Sequence, residues 1–245
     1  MIKRLIKIIV FLSIPNLGFS QTWNSLGNGF FSSGPEGFSI DQKLFIGVSG
    51  VLNYNFCGVP RPTLSFFDGT KIDTIIDGGV GSGYANVSEW YNGRLFVGGN
   101  FGHAGHDQFD VPFTVNIAAW DSVSGWASVT PNGGCFGGIL CMEKYNSDLY
   151  VGGYHTSINN VSCSGISKWN GTTWSNLSGG VSGYVRCMCI YHGELYVGGS
   201  FTSAGSVSAF NIAKWNGTQW DSVAGGFNNY VWAMTVDTVN DVLYA

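Results

Sequence analysis

The chain has 245 residues, of which 37 are Gly, 17 Phe, 11 Tyr and 9 Trp, and only 11% are charged, where about 25% is usual. So much glycine beside so many aromatic residues, without the triplet period of collagen, is typical of tight turns between short strands and excludes a helical bundle or a disordered chain. The formal net charge of −4 argues against partners that are nucleic acids or anionic membranes.

The first twenty residues have the layout of a secretory signal peptide. Three cationic side chains within residues 1–7 precede the apolar run 8–14, and small residues stand just before Gln21. The apolar run is far shorter than the roughly 20 residues that a membrane-spanning helix needs. We therefore expect residues 1–20 to be removed and the mature chain to be secreted or displayed on the outer cell surface without membrane insertion.

Six cysteines in an exported chain permit disulfides. Cys187 and Cys189 would lie on the same face of one strand, which is an awkward geometry for joining them to each other. For these two and for Cys141, burial as small apolar side chains is at least as good an interpretation. The cysteine spacing does not fit a zinc site.

The rest of the chain repeats with a period of about fifty residues. Four copies of a Leu-aromatic-aliphatic-Gly pattern begin at Leu44, Leu95, Leu149 and Leu195, at intervals between 46 and 54 residues, and a partial copy begins at Leu243. A second anchor of two large apolar residues follows each complete copy: Phe67 and Ile72, Trp120 and Trp126, Trp169 and Trp174, Trp215 and Trp220. Two anchors that recur in phase predict an array of equivalent units.

Each unit is predicted to contain four short antiparallel strands. In the last complete unit these strands are expected at 184–191, at 194–201, at 211–215 and around Trp220. The first hairpin turns at His192-Gly193, and the corresponding turns are Asn92-Gly93 and Ser147-Asp148, because a type I′ turn favours such residues. The second turn of the last unit falls at Asn216-Gly217. Glycine pairs inside the second strands predict a bulge or the close approach of a neighbouring backbone.

One four-stranded unit cannot bury both of its faces, so neighbouring units must stack. Blades of 46–54 residues favour an all-β fold, a β-propeller, over a linear array. The pattern resembles the kelch-like propellers, a group similar to the central domain of galactose oxidase, in which a double glycine closes the second strand and two aromatic residues mark the third and fourth. Residues 191–220 look most similar to the repeat of secreted bacterial propellers, and the resemblance covers 21–245.

The two ends of the chain predict an incomplete ring. Residues 21–30 look like the fourth strand of a unit, and the chain stops inside a second strand. We expect four full blades, one leading strand and half of a fifth blade, in a truncated protein that has lost a C-terminal sorting module of the kind that the resemblance implies. The strand around Trp23 should then be loosely held in an open arc; the alternative is that it pairs with 231–245 in a five-bladed ring.

One loop offers a candidate metal site. Two imidazoles and two carboxylates, which could ligate zinc or a similar ion, follow the second strand of the unit anchored at Leu95: His103, His106, Asp107 and Asp110. The alternative is a solvated polar loop, since no other copy repeats the group. His155 and His192 are predicted to be surface histidines.

The first strands should line the propeller axis, where an enzyme would need converging carboxylates or a nucleophile. They offer Glu89, Glu143, Arg186 and Asp237, which we interpret as lacking a repeated pair at fixed phase. Arg186 could bind an anion or gate a channel, and the alternative is a structural, hydrogen-bonded arginine. The copper-binding residues of galactose oxidase have no matching positions, and no cofactor is expected.

These features favour a secreted or surface-exposed, non-catalytic propeller that acts as an adhesion scaffold and binds an extracellular protein or glycan. Specificity would be built on the loops between second and third strands, 49–63 and 100–115. One alternative is an extracellular propeller enzyme, such as a glycan-acting hydrolase or lyase, and another is a purely structural array.

Overall fold

The structure is a computed structural model. It describes the side chains of residues 80–81, 83–105, 111 and 113–245, and within 36–79 it describes the backbones of strands alone. The described residues form β-strands, turns and bends, and no helix among them could cross a membrane. The predicted signal peptide and the predicted leading strand at 21–30 lie outside the described residues.

The first unit contributes one four-stranded antiparallel sheet and one short hairpin. Its strands are β1 (Glu36–Ile40), β2 (Lys43–Gly47), β3 (Asn53–Tyr54), β4 (Pro60–Arg61), β5 (Leu64–Phe67) and β6 (Ile72–Thr74). The sheet has the order β1-β2-β5-β6, and β3 pairs with β4 between its second and third strands.

The second unit repeats this arrangement. Its strands are β7 (Gly79–Gly81), β8 (Tyr84–Tyr91), β9 (Arg94–Asn100), β10 (His103–Gly105), β11 (Ile117–Asp121) and β12 (Gly125–Ala127). The sheet has the order β8-β9-β11-β12, and β10 pairs with β7.

The third unit adds a three-stranded sheet beside its blade. Its strands are β13 (Cys135–Phe136), β14 (Ile139–Tyr145), β15 (Asp148–Gly153), β16 (Ser157–Ile158), β17 (Val161–Ser162), β18 (Ile166–Trp169) and β19 (Trp174–Asn176). The blade has the order β14-β15-β18-β19, and the small sheet has the order β13-β16-β17.

The fourth unit is followed by one further hairpin. The strands are β20 (Tyr184–Tyr191), β21 (Glu194–Ser200), β22 (Ser203–Ala204), β23 (Val207–Ser208), β24 (Ile212–Trp215), β25 (Trp220–Ser222), β26 (Thr235–Asp237) and β27 (Val242–Tyr244). The blade has the order β20-β21-β24-β25, while β22 pairs with β23 and β26 pairs with β27. All four strands of this blade lie where the sequence predicted them, within one residue.

The sheets stack as propeller blades. The first strands β8, β14, β20 and β26 contact one another in succession and form the innermost layer. Apolar clusters fill the space between consecutive blades, such as the one in which Tyr150 and Ile166 pack with Val185 and Trp215. The predicted all-β propeller of four-stranded blades is confirmed by this strand pairing and stacking.

The two sequence anchors occupy one register position in every unit. The first anchor pairs across the sheet with the second: Leu44 with Phe67, Leu95 with Trp120, Leu149 with Trp169 and Leu195 with Trp215. The two members of the second anchor then pair with each other, as Trp169 does with Trp174. The period of the sequence is therefore the period of the structure.

The glycine pairs confirm both consequences that their positions predict. A Cβ on Gly152 would lie 2.5 Å from Cγ1 of Val185 in the next blade, and one on Gly153 would collide with the carbonyl oxygen of Gly138. The bulge lies on the opposite strand, where the register shifts between Ile139 and Cys141. The glycines thus let a neighbouring blade on one side and a bulged strand on the other approach closely.

The first hairpin turns have positive φ at both central residues, as in Asn92 (+48°) and Gly93 (+76°). The turn predicted at Ser147-Asp148 is wrong by one residue. Asn146 and Ser147 form it, with φ of +49° and +66°, and Asp148 already pairs with Tyr145 in the ladder. Asparagine tolerates the left-handed region well, so Asn146 takes the first turn position.

Side-chain hydrogen bonds join each blade to the next. The last tyrosine of a first strand donates to a carbonyl in the following blade's hairpin turn: Tyr91 to Ser147, Tyr145 to Gly193 and Tyr191 to Asp241, at 2.8–2.9 Å. The indoles of Trp174 and Trp220 donate to carbonyls of the preceding unit, Val129 and Leu177, at 2.7 and 2.9 Å. These bonds fix the rotation of one blade against its neighbour.

Candidate ligand-binding site at the loop end

One end of the propeller carries the long connections of the described units. First strands begin there, second strands end there, and the connections from second to third strands form the small hairpins β3-β4, β16-β17 and β22-β23. We call this the loop end, and the opposite side, where the two-residue hairpin turns lie, the turn end. The predicted recognition loops 49–63 and 100–115 belong to the loop end, although much of both lies outside the described residues.

An aromatic side chain recurs at the loop end of successive blades. Tyr84 and Tyr184 stand at the start of the first strands β8 and β20, where they pair with Asn100 and Ser200, and Tyr230 holds the same position 46 residues after Tyr184. These three side chains are 43%, 50% and 53% exposed. Such exposure of large rings in a chain with a well-formed core marks a surface available for contact.

In the third blade, the aromatic ring at the loop end comes from the residue after the second strand instead of from the start of the first strand. Gly138 stands where the second and fourth blades have Tyr84 and Tyr184, and the ring of Tyr154, the residue after the second strand β15, lies over it. The Tyr154 and Tyr184 rings are in edge contact, with centroids 5.7 Å apart. We call Tyr84, Tyr154, Tyr184 and Tyr230 the tyrosine rim.

The first strands β8, β14 and β20 each contain one bulged residue, two positions after Tyr84, Gly138 and Tyr184. Asn86, Leu140 and Arg186 are these residues, and Trp232 corresponds to them 46 residues after Arg186. The guanidinium carbon of Arg186 lies 4.0 Å from the centroid of the Trp232 ring. Its Nε is buried, and no acceptor or carboxylate among the described residues pairs with the side chain. The structural, hydrogen-bonded arginine that the sequence left open is therefore not what the described residues form.

A cavity of about 790 Å³ opens beside Tyr230 at the loop end. Aromatic rings and small polar side chains share its wall. The lining includes Phe210, Phe227, Ser182, Ser200, Thr202, Asn211 and Asn228. Phe210 and Phe227 are among the exposed large apolar side chains, so the cavity offers stacking surfaces beside hydrogen-bonding groups.

Two carboxylates on the first strands of neighbouring blades lie close enough for the charge of one to act on the other. Glu89 pairs with Phe96 and Glu143 with Tyr150, so both occupy one register position, and the interpretation that the axis lacks a repeated pair is wrong. The interval of 54 residues between them equals the interval between Leu95 and Leu149, a signal that was present in the sequence.

The environments of these two carboxylates differ. Burial raises the pKa of Glu143 to about 7, and the charge of Glu89 raises it as well. Glu89 lies 3.2 Å from Nζ of Lys144, an ion pair that favours its charged form. At neutral pH the pair can therefore hold one proton and one negative charge, as acid–base pairs in enzymes do.

The thiols beside this pair are not nucleophiles at neutral pH. Burial raises the pKa of Cys189 to about 11, and the charge of Glu143 adds to the effect. The five described cysteines are free thiols, and Cys141 and Cys163 are among the buried core residues. This agrees with the interpretation of small apolar side chains for Cys141; Cys57 lies outside the described residues.

The candidate metal loop is described only in part. His103 belongs to β10, where its imidazole covers Gly81, whereas His106, Asp107 and Asp110 lie outside the described residues. Within the described part of the chain, no three histidine, cysteine or acidic side chains come together. The metal site remains a prediction from the sequence.

Three other residues predicted from the sequence lie away from the rim and the carboxylate pair: His155, His192 and Asp237. His155 is fully buried and its Nε2 lies 2.9 Å from Oγ of Ser167, so its prediction as a surface histidine is wrong; burial lowers its pKa to about 4. His192 is at an exposed turn, as predicted, and pairs with Asp241 at 2.7 Å. Asp237 accepts hydrogen bonds from the backbone of Val239 and caps a turn, so it contributes nothing to the axial pair.

No family model matches the chain, and no curated protein is significantly similar to it. Among solved structures, PorZ, a surface component of the type-IX secretion system of Porphyromonas gingivalis, is 16% identical with a TM-score of 0.39; the match covers 84% of this chain and 38% of that one. An α-L-arabinofuranosidase from Clostridium thermocellum is 15% identical with a TM-score of 0.38, over 83% and 78% of the two chains. These likenesses are too distant to add to the fold that the strand pairing establishes.

Proposed function

We propose that this protein is a secreted or surface-exposed, non-catalytic propeller that binds an extracellular protein or glycan at its loop end. The observation that carries the proposal is the tyrosine rim. Tyrosine supplies a large, rigid contact area with a polar tip and loses little conformational entropy on binding, which is why it is enriched at recognition surfaces. The signal-peptide pattern supports the extracellular location.

The framework suits this task. Stacked blades hold the rim rigidly, while the segments that join second to third strands differ in sequence from unit to unit and are longer in the first two units than in the next two: 48–63, 101–116, 154–165 and 201–211. A rigid scaffold that carries variable loops is the usual basis of specific recognition.

The test is a screen of the protein on glycan and surface-protein arrays. We expect a ligand whose binding falls by about tenfold or more in Tyr84→Ala/Tyr184→Ala, since buried aromatic contacts dominate such interfaces. Tyr244→Ala is the matched control, because Tyr244 is also 53% exposed but pairs with Thr235 away from the rim. Undiminished binding in the rim variant would contradict the proposal.

The carboxylate pair favours a second candidate, an extracellular glycan-acting enzyme. One carboxyl that holds its proton near neutral pH beside an ionised neighbour is the arrangement that general acid–base catalysis uses. A hydrolase and lyase panel tests it: turnover that is abolished in Glu143→Gln and kept in the rim variant would place the activity at the axis and displace the binding scaffold as the main function.

A further inference from the structure

We infer that Arg186 and Trp232 form an anion-binding subsite beside the tyrosine rim, and that the ligand of the loop end is an acidic glycan, one whose sugar units carry carboxylate or sulfate groups. This inference rests on the proposed function, because it names the ligand class of the same surface.

Arg186 lacks the carboxylate partner that the other described lysine and arginine side chains have. Five lysine and arginine side chains are described, and the other four each pair with a carboxylate at 2.7–3.2 Å: Arg94 with Asp121, Lys144 with Glu89, Lys168 with Asp148 and Lys214 with Glu194. A guanidinium is always charged, and its buried Nε has no acceptor among the described residues. Because Nε is enclosed by protein, a ligand would meet the rest of the guanidinium, and the positive charge that no described carboxylate neutralises favours an anion there.

The Trp232 ring covers one side of the guanidinium. The guanidinium carbon lies over the ring, 4.0 Å from its centroid, so a ligand must approach from another side. The N–H groups lie along the edges of the guanidinium plane, so a carboxylate or sulfate can approach edge-on and accept two parallel hydrogen bonds. Lysine would offer the same charge without this geometry.

The cavity beside Tyr230 suits a sugar better than a protein surface. Trp232 follows Tyr230 by two residues, and both side chains are exposed, while Val231 between them in the chain is buried. Tyr230 also lines the 790 Å³ cavity, together with Phe210, Phe227 and several hydroxyl and amide groups. Aromatic faces pack on the apolar faces of sugar rings while hydroxyl and amide groups bind sugar hydroxyls, and a cavity of this size is in the range for a small ligand, not for a flat protein interface.

The experiment compares matched sets of immobilised oligosaccharides: oligogalacturonates, their neutral methyl esters, sulfated dextran oligomers and unsulfated dextran oligomers. We expect wild-type protein to bind at least one acidic set about tenfold more tightly than its neutral counterpart, with weaker binding as salt is raised. Preference for one acidic set over the other identifies carboxylate or sulfate as the recognised group.

Arg186→Gln is expected to remove that preference by reducing binding of the acidic set about tenfold while binding of the neutral set stays unchanged. Arg186→Lys should keep only part of the wild-type preference for the acidic set. Arg186 contacts the Trp232 ring but has no hydrogen-bonding or ionic partner among the described residues. The urea midpoint of Arg186→Gln should therefore fall only slightly, through the loss of the ring contact, whereas a hydrogen-bonded structural arginine would show a large loss.

The outcomes separate this inference from the proposed function. Suppose that a neutral glycan or a protein binds, that its binding is lost in Tyr84→Ala/Tyr184→Ala, and that its binding is unchanged in Arg186→Gln. The proposed binding scaffold then stands, and the acidic-glycan subsite is refuted. Equal binding of acidic and neutral sets by the wild type also refutes the subsite. If no arrayed ligand binds at all, both fail.

Discussion

At the scale of single residues, Glu143 makes stability depend on pH in an unusual direction. The folded protein holds the Glu143 proton up to about pH 7, whereas an ordinary glutamate loses it near 4.5. Between these values the folded state binds more protons than the unfolded state, so the free energy of unfolding falls as pH rises through the window. His155 acts oppositely, since its pKa is lowered from 6.5 to about 4 and its contribution is lost as pH falls through that range.

We predict that Glu143→Gln raises the free energy of unfolding above pH 7, by at most about 3 kcal/mol, and has little effect below pH 4.5. Urea denaturation between pH 4 and pH 8 measures this. Glu89→Gln is the matched variant, since removing the neighbouring charge should lower the pKa of Glu143 and move the window to lower pH. A Glu143→Gln profile parallel to that of the wild type would contradict the assignment.

At the scale of the element, the glycine pairs set the spacing of the blades. A methyl group at Gly152 would lie 2.5 Å from Cγ1 of Val185, a side chain held by the core of the next blade. We predict that Gly152→Ala lowers the free energy of unfolding by about 1–3 kcal/mol through overpacking. Thermal or urea denaturation measures the loss.

Two further variants isolate the cause of that loss. Gly225→Ala should stay within about 0.5 kcal/mol of the wild type, because nothing lies within 4 Å of its added methyl group. Adding Val185→Ala to Gly152→Ala should cost less than the two single losses combined, because the smaller side chain leaves room for the methyl group. Strict additivity would show that the clash between blades is not the cause.

At the scale of the whole molecule, blades hold together through their interfaces, as in other repeat proteins whose units contact only their neighbours. The Tyr145 hydroxyl donates to the carbonyl of Gly193 at 2.9 Å and so joins the third blade to the fourth. We predict that Tyr145→Phe lowers the free energy of unfolding by about 1 kcal/mol and reduces amide-exchange protection in β14 and β20.

The control for this bond is Tyr184→Phe, since the Tyr184 hydroxyl has no partner among the described residues. Its free energy of unfolding should match that of the wild type. Equal losses in the two variants would mean that removing any tyrosine hydroxyl has the same effect, and that the bond between blades contributes nothing specific.

The sequence by itself determined the propeller, its strands and nearly every hairpin. Pattern and turn chemistry are local properties: Leu95 and Leu149 recur in phase because each faces the same environment in its own blade, and Asn92-Gly93 needs only its own backbone to form a turn. The errors in predicted turn positions were correspondingly small, as at Asn146-Ser147, which was predicted one residue late. The equivalence of Glu89 and Glu143 was also readable from the sequence, because their spacing equals that of Leu95 and Leu149.

Only the tertiary structure decided what each side chain meets. The burial of His155 depends on the core around Ser167, and the aromatic ring over Gly138 is that of Tyr154, the residue after β15. The isolation of Arg186 depends on which groups the next blade presents, and that blade presents the ring of Trp232. Such contacts join residues distant in the chain, and no local pattern encodes them, because burial and charge pairing arise from the stacking of whole blades.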